Sequence, residues 1–138
     1  MYEENNVFAK ILRGEIPSTS VFEDDNALVI MDVMPVSNGH CLIIPKNPSR
    51  NLLDASPDNL SLIMPIVQKI AIATKKAMQA DGIIIQQSNE ESAGQTVFHL
   101  HFHVVPTYEG QKLSRHSDKM ADKDDLKRLA KLIASQIK

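Results

Sequence analysis

Cysteine is all but missing from this chain of 138 residues, with Cys41 standing alone. A single thiol excludes an internal disulfide and any zinc site that needs two thiolates from one chain, and it fits a reducing compartment. A basic excess is missing too. Fifteen Lys and Arg against seventeen Asp and Glu leave a net charge of −2, without the positive balance through which proteins hold nucleic acid or anionic membranes. No apolar run approaches the ~18 residues of a membrane span, and Glu3 and Glu4 stand where a secretory signal would carry its basic segment. Internal repeats and low-complexity tracts are likewise absent, which sets aside solenoids and long linkers. The expectation is a soluble cytoplasmic protein with neither a nucleic-acid nor a membrane partner.

What the chain does have is 43% hydrophobic and 23% charged residues, which suits one domain over 1–138 with one packed core. At this length packing alone can stabilise the fold, without a structural metal. Asn6 to Arg13 places Val7, Phe8, Ile11 and Leu12 at helical spacing with Gly14 at the C-terminal stop. Ser20 to Phe22, Ala27 to Val33 and His40 to Pro45 are apolar, β-branched runs separated by turn residues, and read as three strands. Ser56, Pro57 and Asp58 start a helix that should reach about Gln79, with a kink or break at Pro65. Asp81-Gly82 turns into a fourth strand, Ile83 to Gln87. A polar loop, Ser88 to Gln95, leads to a fifth, Thr96 to Val105. An amphipathic helix over about 122–138 lines up Leu126, Leu129, Ala130, Ile133 and Ile137 for core packing, and the mixed charges of Lys119 to Arg128 form a solvated face.

The fifth strand carries the chemistry. Residues 97–105 read Val-Phe-His-Leu-His-Phe-His-Val-Val. The period-2 alternation of a strand puts His99, His101 and His103 on one face, with Phe98, Leu100, Phe102 and Val104 on the other. The chain has five histidines and spends three of them here. Adjacent members of such a row lie ~7 Å apart and the outer two ~13 Å, too far to converge on one ion with ~2.1 Å bonds. A two-histidine metal site would need other ligands. Neutral imidazoles near pH 7 instead suit nucleophilic and acid–base work on phosphorus, and neighbouring rings discourage one another from charging. Just upstream, Ser92-Ala93-Gly94-Gln95-Thr96 supplies a glycine and amide and hydroxyl donors, the parts of a local anion cradle. Spacing alone does not choose which histidine attacks, and His116 matches no motif and reads as surface.

These residues resemble the histidine triad family of nucleotide hydrolases and transferases, whose signature is H-x-H-x-H-x-x after an A-G-Q-[ST]-V segment. The match runs from Ala93 to Val105. Further similarity covers Phe8 to Pro17, Glu23 to Asp25, and Asp32 to Lys46 with Pro35, Gly39-His40 and Ile44-Pro45-Lys46, so that the motif region spans 6–106. The resemblance implies an α+β fold: a five-stranded antiparallel sheet with flanking helices, extended across a homodimer. It implies that His101 is the nucleophile that forms a nucleotidyl-histidine intermediate, with His99, His103 and His40 orienting it and contacting phosphate oxygens. Gly94, Gln95 and Thr96 fall in the phosphate and leaving-group segment. Asp32 matches the carboxylate that holds the ribose hydroxyls, and Phe8, Ile11, Ile30 and Val33 match the base pocket. Ser88 stands where relatives often carry a nucleotide-contacting amide, a role that either Ser88 or its neighbour Asn89 takes here.

Part of the family binds zinc through a C-x-x-C before the first helix, a later histidine and the first histidine of the triad. Here those positions read Asn6, Ala9, Pro48 and His99, so no structural zinc and no cofactor is expected. The implied activity is metal-independent hydrolysis of nucleoside 5′-phosphoramidates or related AMP conjugates, with a purine nucleotide as the bound partner. The alternatives are a dinucleoside polyphosphate hydrolase or nucleotidyl transferase, and, from another class, a non-catalytic nucleotide-binding module.

Overall fold

The computed structural model describes residues 2–113 and 120–138, which leaves His116 and Lys119 outside the described residues. Its elements follow the chain as α1 (Val7–Leu12), β1 (Ser20–Glu23), β2 (Ala27–Met31), β3 (Cys41–Pro45), α2 (Pro57–Ala77), β4 (Gly82–Gln86), β5 (Phe102–Thr107) and α3 (Lys123–Ala134). Two single turns of 3-10 helix, Leu52–Asp54 and Glu91–Ala93, interrupt the loops. The strands form one antiparallel sheet in the order β1-β2-β3-β5-β4.

Local chemistry explains the helix starts. The side chains of Asn6, Ser56 and Asp122 each accept a main-chain N–H of the first turn of α1, α2 and α3, satisfying donors that would otherwise be orphaned. Of the kink or break expected at Pro65, the break is not there: α2 runs from Pro57 to Ala77 through it. Pro65 lies on the exposed side of the helix, where water can take the carbonyl that the missing N–H leaves unpaired. At its other end α3 stops at Ala134, short of the expected 138, although Ile137 still packs against the core.

Strand alternation divides the side chains between two faces. Val29, Met31, Cys41, Ile43, Phe102 and Val104 join Ile63, Ile66, Val67 and Ile70 of α2 and Leu126, Leu129 and Ile133 of α3 in the main core. On the opposite face Leu28, Ile30, Leu42 and Ile44 make a smaller cluster under Phe8 of α1, with Ile11, Leu12 and Val97 at its rim. β2 ends at Met31 rather than Val33, since the Asp32 carboxylate turns back to accept the Met34 N–H at 2.8 Å and starts a turn. The loop that follows returns through Gly39 (φ +95°), where a Cβ would come within 2.7 Å of the Met78 side chain. Close packing of this loop on the end of α2 therefore requires glycine before His40.

Candidate active site

The histidine segment does not form the straight row that alternation predicts. β5 begins only at Phe102, and residues 97–99 form a bend. The Leu100 N–H bonds to the Ser49 carbonyl at 2.9 Å instead of joining a neighbouring strand. Leu100, Phe102 and Val104 enter the main core as expected. Phe98 does not, since its ring lies under the Arg50 guanidinium at 4.1 Å. His101 and His103 face a cavity of about 300 Å³ together with His40, whereas His99 is 1% exposed and turns away from it.

The hydrogen bonds specify which nitrogen of each ring carries its proton. A carbonyl only accepts, so His99 Nε2 is the N–H that reaches the Pro45 oxygen at 2.7 Å, and His101 Nδ1 is the N–H that reaches the His99 oxygen at 2.7 Å. A main-chain amide only donates, so His40 Nδ1 accepts from Val36 at 3.2 Å and its proton sits on Nε2, which donates to His103 Nδ1 at 2.9 Å. The Tyr2 hydroxyl occupies His99 Nδ1 at 2.6 Å. Six of the eight ring nitrogens are thus engaged by protein partners. The two that make no hydrogen bond among the described residues are His101 Nε2, a lone pair, and His103 Nε2, an N–H, both on rings that line the cavity.

All four rings are held neutral. Burial pushes His101 and His103 down to about 4, and it also lowers His40 and His99. Desolvation penalises the imidazolium. The neighbouring ring adds to the effect at each triad histidine, through His103 on His101, His40 on His103 and His101 on His99. Asp32 opposes it, standing 3.4 Å from His40 Nε2. Asp32, His40 and His103 bring three ligand atoms within 4.8 Å of one another, the only such group of three among the described residues. The donor set does not fit a metal ion, because a neutral His40 that accepts an amide proton at Nδ1 keeps its own proton on Nε2.

The loop opposite the histidines is braced by an ion pair. Arg50 Nε and one terminal nitrogen each donate to the Glu90 carboxylate at 2.9 Å, and Asn51 adds a third donor at 2.7 Å. Together they hold the Glu90 carboxyl down at about 2. They also hold its backbone at φ +75°, ψ 162°, a region normally left to glycine. Gln95 completes the brace. It is 3% exposed, its amide oxygen accepts from Glu90 N and Asn51, and its NH2 donates to the Arg50 and Val97 carbonyls. All four hydrogen bonds of the Gln95 side chain are thus made within the brace, on the wall of the cavity.

The structure brings most, but not all, of the expected residues together. Phe8, His40, Ser88, Gly94, Gln95, Thr96, His101 and His103 line the cavity, and Phe8 meets His101 edge-on at 4.8 Å. Ile11 and Ile30 lie in the apolar cluster beneath Phe8, and Val33 is exposed outside the cavity. Asp32 joins through His40 rather than through the wall. Between Ser88 and Asn89, Ser88 faces the cavity, while the Asn89 amide holds Leu52 N and Gln87. Met34, Val36, Gln86 and Val105 also line the cavity and were not foreseen. Gln86 is opposite His103 in the β4–β5 register, a pairing that no local pattern in the sequence announces. Among the described residues, no lysine or arginine lines the cavity.

A family model described as the HIT domain matches residues 13–110. Among solved structures, a HIT-like protein from Bartonella henselae, described as involved in cell-cycle regulation, superposes with a TM-score of 0.93 at 48% identity, covering 99% of this chain and 100% of that one. A zinc-bound histidine triad family protein from Mycobacterium smegmatis superposes at 0.84 with 37% identity, covering 96% of this chain and 94% of that one. The adenylylsulfatase HINT3 of Arabidopsis thaliana is 39% identical over 120 residues, which span 83% of this chain and 61% of that protein. With the fold, the histidine segment and the family match coinciding on the same residues, the chain belongs to the histidine triad (HIT) family.

Proposed function

We propose that the protein is a metal-independent hydrolase of nucleoside 5′-phosphoramidates or related AMP conjugates, with His101 as nucleophile. The observation that carries this reading is the pair of unengaged ring nitrogens, a lone pair on His101 Nε2 and a proton on His103 Nε2, at one cavity. His101 Nε2 attacks the α-phosphorus, and the phosphorus–nitrogen bond breaks with its electron pair on the amine, which takes up a proton from solvent that the attacking water of the second step gives back. The positive charge that develops on the His101 ring is stabilised by its Nδ1–H bond to the His99 carbonyl. His103 Nε2–H, backed by His40, donates to a phosphate oxygen. Water then attacks the phosphorus of the nucleotidyl-His101 intermediate, releases the nucleoside monophosphate and restores the lone pair.

Several features support the substrate class. Phe8 over the apolar cluster offers a surface for the base, and the Ser88 and Thr96 hydroxyls offer neutral donors to the phosphate. A wall without lysine or arginine favours a leaving group other than a polyphosphate. The relative named as an adenylylsulfatase agrees with an AMP conjugate as substrate. A homodimer goes with this reading. β4 is a sheet edge, and its Ile84 and Ile85 are 38% and 43% exposed, the kind of apolar edge that proteins cover by pairing with a second strand. No helix of the described residues is long and apolar enough to cross a membrane, and we place the activity in the cytoplasm.

The test is hydrolysis of a fluorogenic adenosine phosphoramidate in excess chelator, comparing the unmodified protein with His101→Ala. The expected result is turnover in the first and a loss of about 10³-fold or more in the second. Turnover of diadenosine polyphosphate but not of the phosphoramidate would assign the longer leaving group. Nucleotide binding without turnover of either would make the protein a binding module.

A further inference from the structure

We infer that Tyr2 is a positioning residue for His101, acting through His99 and through α1. This rests on the reading of His101 as the reacting group.

The two residues are 97 positions apart, yet the Tyr2 hydroxyl lies 2.6 Å from His99 Nδ1, with the rings edge-on at 5.6 Å. The direction of that bond is determined by its surroundings. His99 Nε2 must carry the proton that the Pro45 carbonyl accepts, so Nδ1 of the neutral ring holds a lone pair and only a donor can sit against it. Tyr2 is that donor. Its own oxygen accepts from Asn6 Nδ2 at 3.0 Å, so the bonds run one way, from Asn6 to Tyr2 to His99 to Pro45.

Both ends of this chain of bonds reach His101. At one end, the His99 carbonyl accepts the His101 Nδ1–H and thereby leaves the lone pair on Nε2. His99 sits in the bend before β5 rather than in the sheet ladder, so the peptide that carries that carbonyl is held from outside the ladder, by the Leu100 N–H bond to the Ser49 carbonyl at 2.9 Å and by what anchors the His99 ring. The ring has two anchors, Pro45 and Tyr2. At the other end, Asn6 caps α1 by accepting the Ala9 N–H at 2.9 Å, and α1 carries Phe8, whose ring lies 4.8 Å from that of His101 at 75°. The hydroxyl of Tyr2 therefore ties the helix that flanks the nucleophile to the peptide that sets its tautomer. It touches neither the cavity nor a reacting atom.

Tyr2→Phe removes the hydroxyl and keeps the ring. On the adenosine phosphoramidate we expect kcat to fall about tenfold through loss of alignment, with KM changed by less than about twofold. In ¹⁵N spectra of the imidazoles we expect His99 Nδ1 to lose its hydrogen-bond shift and His101 to become a mixture of its two neutral tautomers. Asn6→Asp is the second variant, since it keeps the helix cap but sets an acceptor beside Tyr2 that draws the O–H away from His99. It should shift both readouts in the same direction.

Unchanged kcat and an unchanged His101 tautomer in Tyr2→Phe would overturn the proposal. A kcat loss that follows a lowered melting temperature, with the His101 tautomer intact, would overturn it as well by reducing Tyr2 to a stability contact. The spectra need no turnover. A tautomer shift in a protein inactive on the phosphoramidate would therefore uphold the role of Tyr2 while removing the hydrolase reading.

Discussion

The two faces of the sheet are made by the same alternating strands and solve opposite problems. The face under α2 and α3 is nearly dry: Val29, Ile43, Ile63, Ile70, Val104 and Ile133 are fully buried and bring no polar side-chain atom, and Thr74 of α2 adds one buried hydroxyl. The face under α1 begins the same way, with Leu28, Ile30, Leu42 and Ile44, and then gives way to imidazoles. A polar ring can be buried only where its nitrogens find partners. That condition is met for six nitrogens of four rings and left open for two. The dry face sets stability, and the wet face spends hydrogen bonds to keep a nucleophile neutral and aimed.

The comparison breaks most severely on the dry side. Val29→Asp buries a charge with no partner, at a cost of several kcal/mol or more, against a total stability of roughly 5–15 kcal/mol. The variant should be unfolded by circular dichroism at 25 °C. Within the wet side, His99 and His101 should separate. His99→Ala orphans the Pro45 carbonyl and the Tyr2 hydroxyl and leaves a cavity, so urea titration should show a loss of about 2–4 kcal/mol. His101→Ala removes a ring that faces the cavity and loses one hydrogen bond and the Phe8 contact, so its urea midpoint should fall by less than that of His99→Ala.

The pH dependence sharpens the same contrast. His101 attacks only when unprotonated, and its value is about 4, so kcat/KM should fall on the acid side through about pH 4 rather than at the ordinary imidazole value of 6.5. Stability has the same sign. Between 6.5 and 4 the unfolded chain takes up protons that the folded rings refuse, so the melting temperature should drop as pH falls through this window.

The smallest effect concerns the strained loop. Glu90→Ala loses the Arg50 clamp and keeps a Cβ at φ +75°. Glu90→Gly loses the clamp but relieves the backbone, so it should melt a few degrees higher than the alanine variant. In both, KM should rise as Ser88 and Thr96 lose their bracing.

Much of this was legible along the chain, because it depends on neighbours in sequence. Asn6, Ser56 and Asp122 mark helix starts by a side chain that reaches two or three residues ahead. Leu100, Phe102 and Val104 turn to the core by alternation alone. Around the histidines, the main departures from expectation follow from contacts with distant parts of the chain. Ser49 and Pro45 draw the segment before Phe102 out of the ladder, so His99 leaves the row that period 2 would give it. Arg50 takes Phe98 away from the core. Gln86 enters the cavity only because β4 and β5 pair in one register. Tyr2 left no signal at all, since its partner is 97 residues away.

By itself the sequence determined the strand and helix pattern, the apolar face of the histidine segment and the chemistry of an uncharged imidazole cluster beside a glycine loop. These follow from residue type and spacing. Only the tertiary structure decided which histidine offers a lone pair and which a proton. A tautomer is selected by the partner at the other ring nitrogen, and three of those partners, Tyr2, Pro45 and Val36, come from parts of the chain outside the histidine segment.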